Sequence, residues 1–102
     1  MSEKVAQYML WKAYGLPEPQ AEYRFHPKRR WKADYCWPEH KIIVEIEGGI
    51  WTQGRHTRGY GFMGDMTKYN FAGLLGYRVF RFTPSQLKKG EAQLFMREVF
   101  GL

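Results

Sequence analysis

The stretch "WKADYCWPEHKIIVEIE", Trp31 to Glu47, decides the fold. "WKADYCW" and "KIIVEIE" are rich in β-branched and aromatic residues, and Pro38 in "PEH" between them signals a turn. Opposed residues of an antiparallel pair point to the same face, so the loop length fixes which side chains share a surface. A three-residue loop sets Asp34 against Val44 and mixes polar with apolar on both faces. A four-residue loop, Pro38 to Lys41, pairs Trp37 with Ile42, Tyr35 with Val44 and Ala33 with Ile46, and so leaves one wholly apolar face. The same register pairs Asp34 with Glu45 and Lys32 with Glu47. Opposed Cβ atoms lie about 4.5–5.5 Å apart, and residues two apart on a strand about 6.6 Å, so three carboxylates are expected to cluster on the second face.

Working outward, "SEKVAQYMLWKAYG" opens on Ser2 as an N-cap and ends at Gly15, which predicts a helix at about residues 3 to 14. Pro17 and Pro19 then break the pattern. "EYRFHPKRR" predicts a short strand stopped at Pro27, followed by the exposed basic run Lys28, Arg29 and Arg30. That run reads as a solvated turn or as a set of phosphate contacts, and the two are compatible.

Beyond the hairpin, residues 48 to 64 hold six glycines in 17 residues, with Arg55, His56 and Arg58 among them, which predicts a long functional loop. "DMTKYNFAGLLG" predicts a helix with Asp65 at or near its N-cap and Gly76 as its stop. "YRVFRF" alternates apolar residues around Arg78 and Arg81 as a strand does. Pro84 marks a helix start, and a second helical stretch begins at about Glu91. No internal repeat appears.

Hydrophobic residues make up 44% of the 102, with no low-complexity tract, so the expectation is one folded domain over residues 1–102. Sixteen Lys and Arg against ten Asp and Glu, net +6, favour an anionic partner, most simply nucleic acid. Cys36 is the only cysteine, which excludes an intrachain disulfide and a Cys-rich zinc site. The apolar stretches are too short to cross a bilayer and Met1 to Gly15 lacks a signal-peptide pattern, so the expectation is no membrane and a cytoplasmic location.

Three facing carboxylates repel one another unless something offsets their charge, and hard divalent cations do so through oxygen ligands. Mg²⁺ takes one or two carboxylates, keeps waters, and activates one of them against a phosphate. The competing reading is a solvated or salt-bridged cluster, with Asp34 paired to Lys32 or Arg30. Taken alone, an Asp followed eleven residues later by Glu-x-Glu is a weak pattern.

Asp34 on one strand, Glu45-Ile46-Glu47 on the next, then a helix and "YRVFRFT" resemble the PD-(D/E)XK nuclease superfamily. More narrowly, "DYCWPEHKIIVEIEGGIW" with "LLGYRVFRFT" is similar to the very-short-patch-repair endonucleases and their small relatives encoded in phages and prophages, across roughly residues 20 to 83. The resemblance implies an α/β (α+β) fold with a restriction-endonuclease-like αβββαβ core, its mixed central sheet flanked by helices. It implies Mg²⁺ (or Mn²⁺) held by Asp34, Glu45 and the Ile46 carbonyl, DNA as substrate, and a bacterial or phage-infected host cell as the setting.

Glu47 stands where the superfamily usually has lysine, so it is expected to assist as a further ligand or to orient water. Lys68 on the predicted helix, or His56 in the glycine-rich loop, is expected to supply the missing cationic or proton-transfer role. Glu22 is a more remote acid. Lys28, Arg29, Arg30, Arg55 and Arg58 are expected to contact phosphates, while Arg78 and Arg81 are expected to be salt-bridged or to bind phosphate. Two rivals stand beside this metal-dependent endonuclease: a non-catalytic nucleic-acid binder on the same fold, and a protein-interaction module. A homodimer is the simplest way to cut two strands, though no stretch declares an interface.

Overall fold

The computed structural model describes residues 9–48 and 60–102. Helix α1 covers residues 9–12 of these and is followed by a turn ending at Gly15. Strands β1 (Gln20–Arg24), β2 (Lys32–Trp37) and β3 (Ile42–Ile46) come next, with a short 3₁₀ turn Pro38–His40 between the last two. Helix α2 (Tyr60–Leu74), strand β4 (Arg78–Phe82) and helices α3 (Pro84–Lys88) and α4 (Glu91–Val99) complete the order. The protein is α+β, with a four-stranded mixed sheet in the order β1-β2-β3-β4, and the expected αβββαβ succession is present.

The hairpin adopts the register of the four-residue loop: Trp37 faces Ile42 and Tyr35 faces Val44. Lys41 closes the loop in the left-handed region at φ 55°, its N–H donating to the Pro38 carbonyl. β4 joins parallel to β3, with Glu45 beside Arg81 and Ile46 beside Phe82. A parallel pair needs a crossover, and α2 supplies it.

Both faces of the sheet are covered. On one, Tyr35, Trp37, Ile42, Val44 and Phe82 pack with Trp11, Leu16, Ala92 and Met96 from the terminal helices and their connections. On the other, Cys36 and Ile43 pack with Phe25, Ala72 and Tyr77, which brings α2 against the sheet. Thr83 caps α3 through a reciprocal pair with Gln86, accepting its backbone N–H and donating its own to the Gln86 side chain. Arg97 donates to the Tyr14 carbonyl at 2.6 Å and ties α4 to the end of the first helix.

Three expectations need correction. Ala33 does not join Tyr35 and Trp37 but packs with the α2-side cluster. The change of face coincides with Asp34, where the β2–β3 ladder ends and opposite which Glu22 on β1 takes φ 53°. Lys32 does not face Glu47 as a pairing partner, since its ammonium lies 3.8 Å from Glu22. Helix α2 begins at Tyr60, so Asp65 sits within the helix and not at its cap. Gly61 and Gly64 cost the helix about 1 kcal/mol each, which weakens a helix without stopping it.

Among the described residues, no helix is long and apolar enough to cross a membrane.

Candidate functional site

The site forms where β2 and β3 part. Their ladder runs from Trp37–Ile42 to Tyr35–Val44 and stops. The next position on β2 is Asp34, whose carboxylate Oδ2 accepts the Ile46 backbone N–H at 2.7 Å. A side chain thus replaces a backbone acceptor, and the fork that this leaves is lined by Asp34, Glu45 and Glu47.

Glu45 shares the face of Ile43 on β3, opposite Val44, and so points toward α2. It is 4% exposed, an unusual depth for a carboxylate unless it is paired. The pair is Lys68, whose ammonium lies 2.6 Å from Glu45 Oε1 and also donates to the Lys32 carbonyl at 2.7 Å. Burial pushes the Glu45 carboxyl up to about 7; Lys68 pulls it down and the neighbouring Asp34 pushes it up. Near neutrality Glu45 therefore exchanges readily between its protonated and ionised forms when no further cation is present.

Glu47 has different partners. Its Oε1 accepts from the Tyr69 hydroxyl at 2.6 Å and from Arg81 Nε at 2.7 Å, while Oε2 accepts from Arg81 Nη2 at 2.7 Å. This fork-on-fork geometry is the strong form of a carboxylate–guanidinium contact. The Arg81 guanidinium also lies 4.7 Å from the Tyr69 ring centre. Partial burial pushes the Glu47 carboxyl up, but the hydrogen bonds from Arg81 and Tyr69 and the charges of Arg81 and Lys68 hold it below its ordinary range. Burial and the bond to Glu47 push the Tyr69 hydroxyl far up, so it stays a donor.

The structure brings together Asp34, Glu45, Ile46, Glu47 and Lys68 of the expected residues. Lys68 arrives because helix α2 packs its face over the end of β3. His56, Arg55 and Arg58 lie outside the described residues. Lys28, Arg29 and Arg30 sit exposed on the β1–β2 loop, and Glu22 lies across β1 with Lys32. Tyr69 and the role of Arg81 were not foreseen as parts of one network. The available signal was Tyr69 next to Lys68, together with the parallel pairing that sets Arg81 beside Glu45.

Two carboxylates and the adjacent Ile46 carbonyl make a hard-oxygen donor set, the kind that Mg²⁺ accepts with water completing its shell. Glu45 Oε1 is buried with the Lys68 ammonium 2.6 Å away, so a cation bound there would have to share this oxygen with Lys68 or displace it. Glu47, with both oxygens committed, adds no ligand. Among the described residues no group of three or more His, Cys, Asp and Glu is arranged to hold a metal ion, which leaves a two-carboxylate set. No protein-family model, curated protein or solved structure matches this chain.

Proposed function

We propose that this protein is a metal-dependent DNA endonuclease of the PD-(D/E)XK type. What supports the reading is the convergence of Asp34, Glu45 and Lys68 at one fork of the sheet in a protein of net charge +6. Asp34, Glu45 and the Ile46 carbonyl would hold Mg²⁺ or Mn²⁺. Such a cation supplies a nucleophilic water at neutral pH and stabilises charge on the displaced oxygen.

The chain's own residues have separate tasks. The Lys68 ammonium, held between Glu45 and the Lys32 carbonyl, would neutralise charge that develops on the scissile phosphate. Glu47, with both oxygens engaged by Arg81 and Tyr69, would act through the charge and fixed position it gives to that edge of the fork, not as a ligand. Products would be a 5′-phosphate and a 3′-hydroxyl, as the resemblance implies, and cutting both strands would call for a homodimer.

The second reading, a non-catalytic nucleic-acid binder, has one observation in its favour: Glu47 replaces the expected lysine and is spent on Arg81 and Tyr69. The two separate on a panel of labelled DNA structures incubated with Mg²⁺, Mn²⁺ or EDTA. The endonuclease reading expects cleavage by the wild type with either metal and none in EDTA or by Asp34→Ala. Binding without cleavage on every structure would support the second reading instead.

A further inference from the structure

The β1–β2 loop carries Lys28, Arg29 and Arg30 in succession, all exposed. None has an acidic partner among the described residues, whose ion pairs engage Lys32, Lys68 and Arg81. Here the backbone is pinned, because the N–H groups of Lys28 and Arg29 both donate to His26 Nδ1, at 3.0 and 2.9 Å.

Arg29 is held further. Its guanidinium lies 5.0 Å from the Trp31 ring centre and 5.6 Å from that of Phe71. Trp31 and Phe71 contact each other at 5.6 Å, and the His26 ring packs edge-on against both. Stacking on an aromatic face leaves the in-plane N–H groups of a guanidinium free, and these are the groups that grip phosphate bidentately. The rotamer freedom that an arginine loses on gripping a phosphate is here lost on folding.

The loop is also joined to the acidic fork. Trp31 immediately precedes Lys32, whose carbonyl accepts the Lys68 ammonium. Phe71 lies three residues after Lys68 on α2, hence one turn along the same face. Loop and fork are therefore linked twice, through Trp31–Lys32 at the start of β2 and through Lys68 and Phe71 on α2.

We propose that this loop is where a DNA strand is gripped, with Arg29 as a pre-set clamp on a backbone phosphate adjacent to the one at the Asp34–Glu45 fork. Trp31 and Phe71 are positioning residues that act through Arg29. The position of the gripped phosphate relative to a scissile one rests on the endonuclease reading; the clamp itself does not.

The test measures binding in EDTA, where no hydrolysis is required. Fluorescence anisotropy with a labelled duplex and a single strand of the same length is followed across a salt series for wild type, Arg29→Gln, Arg29→Lys, Trp31→Leu and Lys88→Gln. Lys88 lies on α3, across the sheet from the loop, and controls for net charge. Arg29→Gln is expected to weaken binding about tenfold, the size of one charged contact. Its plot of log affinity against log salt is expected to be shallower by about 0.9 on duplex or about 0.7 on single strand. Trp31→Leu and Arg29→Lys keep the charge and lose the fixed fork, so both weaken binding severalfold with the slope unchanged. Should Trp31→Leu fail to fold, Arg29→Lys carries the same comparison.

Wild-type binding by Arg29→Gln, or an equal loss in Lys88→Gln, overturns the proposal, as does wild-type binding by both charge-conserving variants. Binding that depends on Arg29 without cleavage in Mg²⁺ sinks the endonuclease reading alone. Cleavage with binding indifferent to Arg29 sinks the clamp alone.

Discussion

Lys68→Met removes the ammonium that lies 2.6 Å from a carboxylate only 4% exposed. Removing one member of a buried pair typically costs about 3–5 kcal/mol, because the remaining charge is stranded. Glu45 has an escape, since it can take up a proton, and this makes the cost depend on pH. Burial already raises the Glu45 carboxyl from 4.5 to about 7 in the folded protein. A group raised on folding contributes its stability at low pH and loses it as pH climbs toward the folded value. In the wild type that loss runs from 4.5 to about 7 and then ends. In the variant the folded value is higher still, so the loss continues above pH 7 at about 1.4 kcal/mol per pH unit.

Near pH 6 the two proteins should therefore agree to within about 1 kcal/mol, the worth of the lost hydrogen bond to the Lys32 carbonyl. Near pH 9 the variant should be weaker by a further 3 kcal/mol or about that, which for a domain of this size lowers Tm by about 10–20 °C. Thermal unfolding followed by circular dichroism in EDTA measures both, and Glu45→Gln combined with Lys68→Met should remove the divergence. A loss equal at both pH values, or none at high pH, would refute the assignment of Lys68 as the charge partner of buried Glu45.

Glu47→Gln replaces the acceptor of the Arg81 fork by an amide and should cost about 1–3 kcal/mol in urea unfolding. The stability that Glu47 contributes is present above the ordinary carboxylate range and lost as pH falls through its lowered folded value, so wild type and variant should converge in acid. Gly90→Ala forces a side chain into a left-handed position, φ 84°, against the Tyr14 hydroxyl. It should cost about 1–3 kcal/mol in the same assay without altering DNA binding.

The hairpin was legible because its alternation is strict: only one loop length sorts Tyr35, Trp37, Ile42 and Val44 onto a single face. Asp34 beside Glu45 followed from that register. Lys68 was legible only as one of two candidates with His56, through its place on the predicted helix after the hairpin, and the sequence alone did not choose between them. The fate of Glu47 was not, since it depends on how β4 sits beside β3, and alternation within a strand carries no information on parallel register. Nor was the break at Asp34, where a carboxylate takes the Ile46 backbone N–H in place of a ladder carbonyl. Both are tertiary events, in which local pattern yields to the pairing of distant segments. The start of α2 was misplaced for a simpler reason: glycines weaken a helix by an amount that packing can override.

Under the proposed function, Asp34 and Glu45 would jointly hold one divalent cation. Anomalous diffraction from crystals grown with Mn²⁺ tests it most directly. The account predicts one strong peak about 2.0–2.4 Å from oxygens of both carboxylates and from the Ile46 carbonyl, absent in crystals of Asp34→Asn. A difference map without a peak at the fork, with the Lys68 ammonium still seated on Glu45, would contradict it.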